Sequence, residues 1–144
     1  MKAKDLKDVW FHLTGDLLEF QRRIVDPICQ KNGLTGQQMR VLLALDEQPD
    51  QSVGDLSASV AILRTNIAAV CGKLEQERFI QRSRAGRDKR YVTVRLTDRG
   101  RAALDQVRAD FNTRYRGIFE SEPKETFDTI LRGIEALQAF LKKF

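Results

Sequence analysis

Apolar positions recur at helical spacing at both ends of the chain, and a different pattern fills the middle. Leu6, Trp10, Leu13, Leu17, Phe20, Ile24 and Ile28 step by four, three, four, three, four and four residues. That is close to the heptad stripe of a helix that packs on another helix, and it predicts a helix over 4–31. Val9, Phe11, Leu18 and Val25 widen the stripe beyond one packing face. A helix of this length spans roughly 40 Å at about 1.5 Å per residue. It cannot bury both sides on a small core, so it needs a partner, either the C-terminal helices or a second subunit. Pro27 is expected to kink or end this helix, and Gly33 to mark its stop.

The middle of the chain opens with Leu34-Thr35-Gly36-Gln37-Gln38, where Thr35 and Gln38 stand at the two positions of a capping box. Met39, Val41, Leu42, Leu43 and Leu45 supply the apolar positions of the helix that follows, which ends before Pro49. Ser52 is placed to cap a short helix over Val53–Val60, and a further helix occupies the region Arg64–Glu77. In that helix Ile67, Val70, Cys71 and Leu74 form one buried stripe at i, i+3, i+4 and i+7. The other face carries Arg64, Thr65, Ala68, Ala69, Gly72 and Lys73, with Asn66 between the faces. These residues are small or hydrogen-bonding. A helix that merely faces water more usually carries Glu and Lys there, whereas this surface fits a major groove about 12 Å wide.

A change to period two follows. Phe79, Ile80 and Gln81 begin one strand, and Tyr91–Leu96 makes a second in which Val92, Val94 and Leu96 share a face. The connection Ser83–Lys89 contains Gly86, which can take the turn. Thr97 then caps a helix from Asp98 to about Phe119, striped by Leu104, Val107, Phe111 and Ile118 with Tyr115 beside them. Ser121-Glu122-Pro123 starts a last helix, with Ser121 as its cap and Pro123 in its first turn. Its stripe is Phe127, Ile130, Leu131, Ile134, Leu137 and Leu141, extended by Phe140 and Phe144.

Charge sharpens the picture of the hairpin. Residues 78–99 hold eight basic residues against two acids, a local +6 in a chain whose total is +5. Arg84, Arg87, Lys89 and Arg90 crowd the tip, where an arginine can enter a narrow minor groove. Asp88 is suited to accept hydrogen bonds from Arg87 or Arg90 and steady a guanidinium. A solvated basic hairpin would show the same charges, and it is the preceding pair of helices that points to nucleic acid.

Composition excludes other classes. The 144 residues are 42% hydrophobic and 31% charged, as expected of one ordered domain with helical extensions. The apolar runs are too short for a membrane span, and the first residues lack the apolar core of a signal peptide, so a cytoplasmic protein is expected. Two cysteines are too few for a disulfide framework, and a lone histidine rules out a His-rich metal site within one chain. No nucleophile–base constellation, phosphate-cradling glycine loop or metal-ligand cluster suggests an enzyme, and no cofactor is expected.

LTGQQMRVLLAL, SVGDLSASVAILRTNIAAVCGKLEQERFI and DKRYVTVRLTDRG, in this order and spacing, resemble the MarR family of winged-helix transcriptional regulators. The resemblance implies a mainly α fold with a small antiparallel β-wing. Residues 33–100 would form the winged helix-turn-helix, and 1–32 and 101–144 the N- and C-terminal dimerisation helices. It implies a homodimer on a double-stranded DNA operator, most simply a repressor relieved by a small aromatic ligand. Carried over, the DNA contacts fall on Arg64, Thr65, Asn66, Ala68 and Ala69. Asp88 and Arg90 form the wing pair, and Leu96, Thr97 and Gly100 close the wing. Lys73, Arg84, Arg87 and Lys89 complete the candidate DNA-binding set. The chain departs from the family pattern at three places: Arg78 stands where a glycine commonly ends the recognition helix, Leu63 where a polar cap is common, and Lys89 where an arginine is usual. Two other readings stand beside this one: a winged-helix adaptor that binds protein instead of specific DNA, and a redox regulator using Cys29.

Overall fold

The computed structural model of the protein describes residues 3–84 and 91–144. Two compact units divide the chain, 1–110 and 111–144. The first carries α1 (Ala3–Phe20), a π-helical turn (Gln21–Val25), α2 (Asp26–Lys31), α3 (Gly36–Glu47), α4 (Val53–Val60), α5 (Arg64–Gln76), β1 (Ile80–Ser83) and β2 (Thr93–Leu96). Helix α6 (Asp98–Ser121) begins in this unit, and α7 (Lys124–Leu141) belongs to the second. No single described helix is long and apolar enough to cross a membrane.

Pro27 does not end the first helical stretch, which continues to Lys31. The chain instead widens just upstream, where the amide of Asp26 donates to the carbonyl of Gln21 five residues back. A π turn makes room where a proline ring would otherwise crowd the preceding turn. The end comes at Gly33, with φ +74°. Leu34 N–H donates to the Cys29 carbonyl and Gly33 N–H to that of Gln30, the paired bonds of a Schellman stop.

Local capping starts the middle helices as the residues predict. The Thr35 hydroxyl accepts from the Gln38 amide at 3.1 Å while the Gln38 side chain accepts from the Thr35 amide at 2.9 Å. Ser52 and Asp55 repeat the arrangement for α4. Gln51 is buried, and its side-chain amide donates to the carbonyls of Ala44 and Gln48, which close α3. Its own carbonyl accepts from Val94 N–H at 2.8 Å, adding an isolated bridge beside β2.

The core of the first unit joins these elements through Leu42, Leu45, Leu56, Leu74, Ile80, Val94 and Leu104, all less than 3% exposed. β1 and β2 pair antiparallel, with Ile80 opposite Leu96 and Ser83 opposite Thr93. The second strand is shorter than its alternating pattern suggests. Tyr91 and Val92 lie outside it, and of the alternating face Val92, Val94 and Leu96 only Val94 is fully buried.

In the second unit the Phe111 ring is tilted against those of Tyr115 and Phe119, and Phe119 stacks on Phe127, with ring centroids 5.1, 6.0 and 5.9 Å apart. The start of α7 differs from the expected one. Ser121 is the last residue of α6, and its hydroxyl donates to the Ile118 carbonyl at 3.0 Å. Pro123 is the N-cap and makes no side-chain cap bond. The hydroxyl finds its acceptor in the turn behind it, a common alternative for serine. No residue of α7 is buried.

Candidate nucleic-acid interface

Helix α5 has two faces of different chemistry. Ile67, Cys71 and Leu74 are buried, and Val70 is half-buried. Arg64, Thr65, Asn66, Ala68, Ala69, Gly72 and Lys73 are all exposed. Leu63 is the N-cap and offers no side-chain acceptor. Its carbonyl takes the amides of Asn66 and Ile67, which leaves those of Arg64 and Thr65 without an intrahelical acceptor. Unsatisfied amides at a helix start favour an anion such as phosphate. The Lys73 ammonium reaches Glu77 only at 4.0 Å and is largely solvated.

The turn that sets this helix is held on both sides. Ala61 closes α4 in the left-handed region, with φ +53°. The buried Ser57 hydroxyl donates to the Ile62 carbonyl at 2.8 Å, and the Arg40 guanidinium to that of Val60 at 3.3 Å. The far end of α5 stops at Arg78, φ +64°, through Phe79 N–H to the Leu74 carbonyl and Arg78 N–H to that of Glu75. These are again the bonds of a Schellman stop, completed without glycine. The Thr97 hydroxyl donates to the Arg78 carbonyl at 2.6 Å and accepts from Gly100 N–H at 3.0 Å, so one side chain caps α6 and ties down the strained residue. Gly100 lies so close to Phe79 that a Cβ would come within 2.0 Å of its carbonyl oxygen.

The base of the wing spends several arginines on structure. Arg95 pairs with Asp50 at 2.8 Å, and Arg82 with Glu75 at 2.8 Å. Arg99 donates through Nε to the Glu77 carbonyl at 3.0 Å and lies over the Phe79 ring. These contacts fix the guanidiniums in place, and the carboxylates of Asp50 and Glu75 offset part of the local positive charge. Arg84 is exposed just beyond β1. Gly86, Arg87, Asp88, Lys89 and Arg90 lie outside the described residues, so the structure places the root of the wing and not its tip.

Two braces that sequence reasoning missed connect α2 and α3 to α6. Asp46 receives Arg101 at 2.7 Å and Arg108 at 3.0 Å. The hydrogen bond from Arg108 chiefly, and that from Arg101, hold its carboxyl below the usual range. Asn32 donates to Asp110 at 3.0 Å, and this bond, with that from Gln106, lowers the Asp110 carboxyl. Each pair joins residues more than fifty positions apart, and no local pattern signals such a contact.

Cys29 is fully buried. Burial pushes its thiol up, and the Asp26 carboxylate adds to the shift. Both effects oppose the thiolate that a redox switch uses. Cys71 lies in the core, and burial raises it as well.

Known proteins share this arrangement. The family profile described as transcriptional regulator SarA/Rot matches residues 23–107. The homoprotocatechuate degradative operon repressor of Escherichia coli is 27% identical over 114 residues, 77% of each chain. The crystal structure of a MarR family transcription regulator superposes with a TM-score of 0.80 at 21% identity, covering 97% of this chain and 93% of that one. The transcriptional repressor CouR, solved on a 23-mer DNA duplex, has a TM-score of 0.74 at 26% identity and covers 96% of this chain and 98% of its own. NadR, solved in complex with 4-hydroxyphenylacetate, has a TM-score of 0.72 at 24% identity over 90% of each chain. These relatives are regulators and not enzymes. With the profile matching more than half its length, around a two-faced helix and a paired wing root, the chain belongs to the SarA/Rot transcriptional regulators, winged-helix proteins of the MarR kind.

Proposed function

We propose that the protein is a homodimeric, sequence-specific repressor that leaves its operator when a small aromatic acid binds. The exposed face of α5 carries this reading. Seven exposed residues from Arg64 to Lys73 present short or hydrogen-bonding groups, and the same helix is anchored by three buried ones. In this reading Arg64, Thr65, Asn66, Ala68, Ala69 and Lys73 meet the major groove. Arg84, Arg87, Lys89 and Arg90 reach the backbone and minor groove, and Asp88 steadies Arg90. Residues 33–100 read DNA, and 1–32 with 101–144 hold two copies together. A chromosomal operator puts the protein in the cytoplasm.

Support for an aromatic ligand comes from NadR and from a groove of about 660 Å³ in the first unit. Trp10, Leu17 and Leu18 give it apolar walls, and Arg40 a cation for a carboxylate. The test is a titration of labelled operator duplex at fixed salt. Arg90→Ala is expected to weaken binding by about 1–3 kcal/mol, and unchanged affinity removes the wing from the interface. An adaptor that binds protein instead would show no steep salt dependence on any duplex.

A further inference from the structure

We infer that the depression between the end of α5, β1 and the start of α6 binds a phosphate group through Arg78, Arg82 and Arg99. The depression has a volume of about 730 Å³, and these three arginines line it with Glu75 and Asp98. Arg82 and Arg99 are each fixed through Nε, the first on the Glu75 carboxylate at 2.8 Å and the second on the Glu77 carbonyl at 3.0 Å. The Arg99 plane is further held over the Phe79 ring, 4.8 Å from its centroid. Anchoring by Nε leaves the two Nη groups of each fork, and among the described residues neither arginine uses them in a hydrogen bond. Planar forks held in place are well matched to phosphate oxygens, and little side-chain freedom remains to be lost on binding.

Arg78 adds a second kind of observation. It holds a left-handed backbone, φ +64°, which glycine adopts freely and a side chain does not. Strain of this kind persists where surrounding bonds enforce it, here the Thr97 hydroxyl on the Arg78 carbonyl. Arg78 lines the same depression. Three guanidiniums against two carboxylates leave one net positive charge in the depression, the Arg82–Glu75 pair being neutral as a unit.

The inference rests on the DNA-reading role proposed above, because the depression lies between the recognition helix and the root of the wing. The phosphate is then a backbone group flanking the operator, or a free phosphate of the same chemistry. Operator duplexes of minimal length and of that length extended by about one helical turn at each end separate the two. Wild type, Arg78→Gly and Arg99→Gln are titrated on both across a salt series. A flanking phosphate makes wild type bind the longer duplex more tightly. Each variant loses that gain, with the salt slope reduced by roughly one per arginine and copy. Arg78→Gly also relieves the left-handed strain, so its melting temperature rises while its affinity falls, which a misfolded variant cannot do. In the second arm inorganic phosphate is added at constant ionic strength. A melting temperature raised in wild type and not in the variants, without a gain from the longer duplex, identifies free phosphate as the occupant. Wild type that binds the minimal operator but responds in neither arm overturns the inference and leaves the DNA-reading role standing. Wild type that binds no duplex overturns that role, and the phosphate arm alone then decides the inference.

Discussion

Asp50, Ala61 and Arg78 hold left-handed backbone without being glycine, with φ of 59°, 53° and 64°. Such a conformation costs a residue with a Cβ about 1–2 kcal/mol. Asp50 uses its side chain there to hold Arg95, whereas Ala61 has only a methyl group. Ala61→Gly is therefore expected to stabilise the protein by about 0.5–1 kcal/mol, the strain relief less the added freedom of the unfolded chain. Urea unfolding followed by circular dichroism would show it as a higher midpoint. Gly100 is the converse case. A Cβ there would lie 2.0 Å from the Phe79 carbonyl oxygen, so Gly100→Ala should destabilise by about 1–3 kcal/mol through overpacking. An unshifted midpoint would show that the α6 start can move aside. Gly100 was legible in the sequence as part of a motif, but its reason was not, because the oxygen it avoids belongs to a residue on another element.

Among the elements, α3 and α6 are joined by the one carboxylate of Asp46 and the guanidiniums of Arg101 and Arg108. The Asp46 side chain is 18% exposed, which favours these pairs over fully solvated ones, though both arginines remain about half in water. Asp46→Asn should therefore lower stability by only about 1 kcal/mol at neutral pH. The Asp46 carboxyl is lowered in the folded protein, so its contribution is complete above the unfolded carboxyl value of 3.8. It is lost as pH falls through the lower folded value. The gap between wild type and Asp46→Asn should thus be constant from pH 7 to 5 and narrow below about pH 4. A gap that persists unchanged at pH 2 would place the effect in packing rather than charge. The elements themselves were well marked in the sequence, down to the caps at Thr35, Ser52 and Thr97. Ser121 was not, because a hydroxyl next to two helix ends can serve either, and only the path of the backbone chooses.

For the whole molecule, the apolar faces of α1 and α7 set the question of assembly. Leu17 and Leu18 are 58% and 67% exposed, and Ile130 and Leu131 are 50% and 59% exposed. Apolar stripes of this length are unusual on a monomer surface. In the proposed dimer, Leu17→Glu or Ile134→Glu should yield a monomer by sedimentation velocity. Each should weaken operator binding strongly although α5 is untouched, because two half-sites would no longer be bound together. A variant that stays dimeric would exclude its helix from the interface. The order of elements, the caps at Thr35, Ser52 and Thr97 and the two-faced character of α5 were determined by the sequence itself. Capping and helical periodicity act between residues three or four apart, so they can be read along the chain. Tertiary structure decided how the cations are held. Arg82, Arg95 and Arg99 counted equally toward a basic hairpin until Glu75, Asp50 and the Glu77 carbonyl engaged them. Those partners stand 7, 45 and 22 residues away in the chain, and only the folded backbone brings such distant groups within a hydrogen bond of one another.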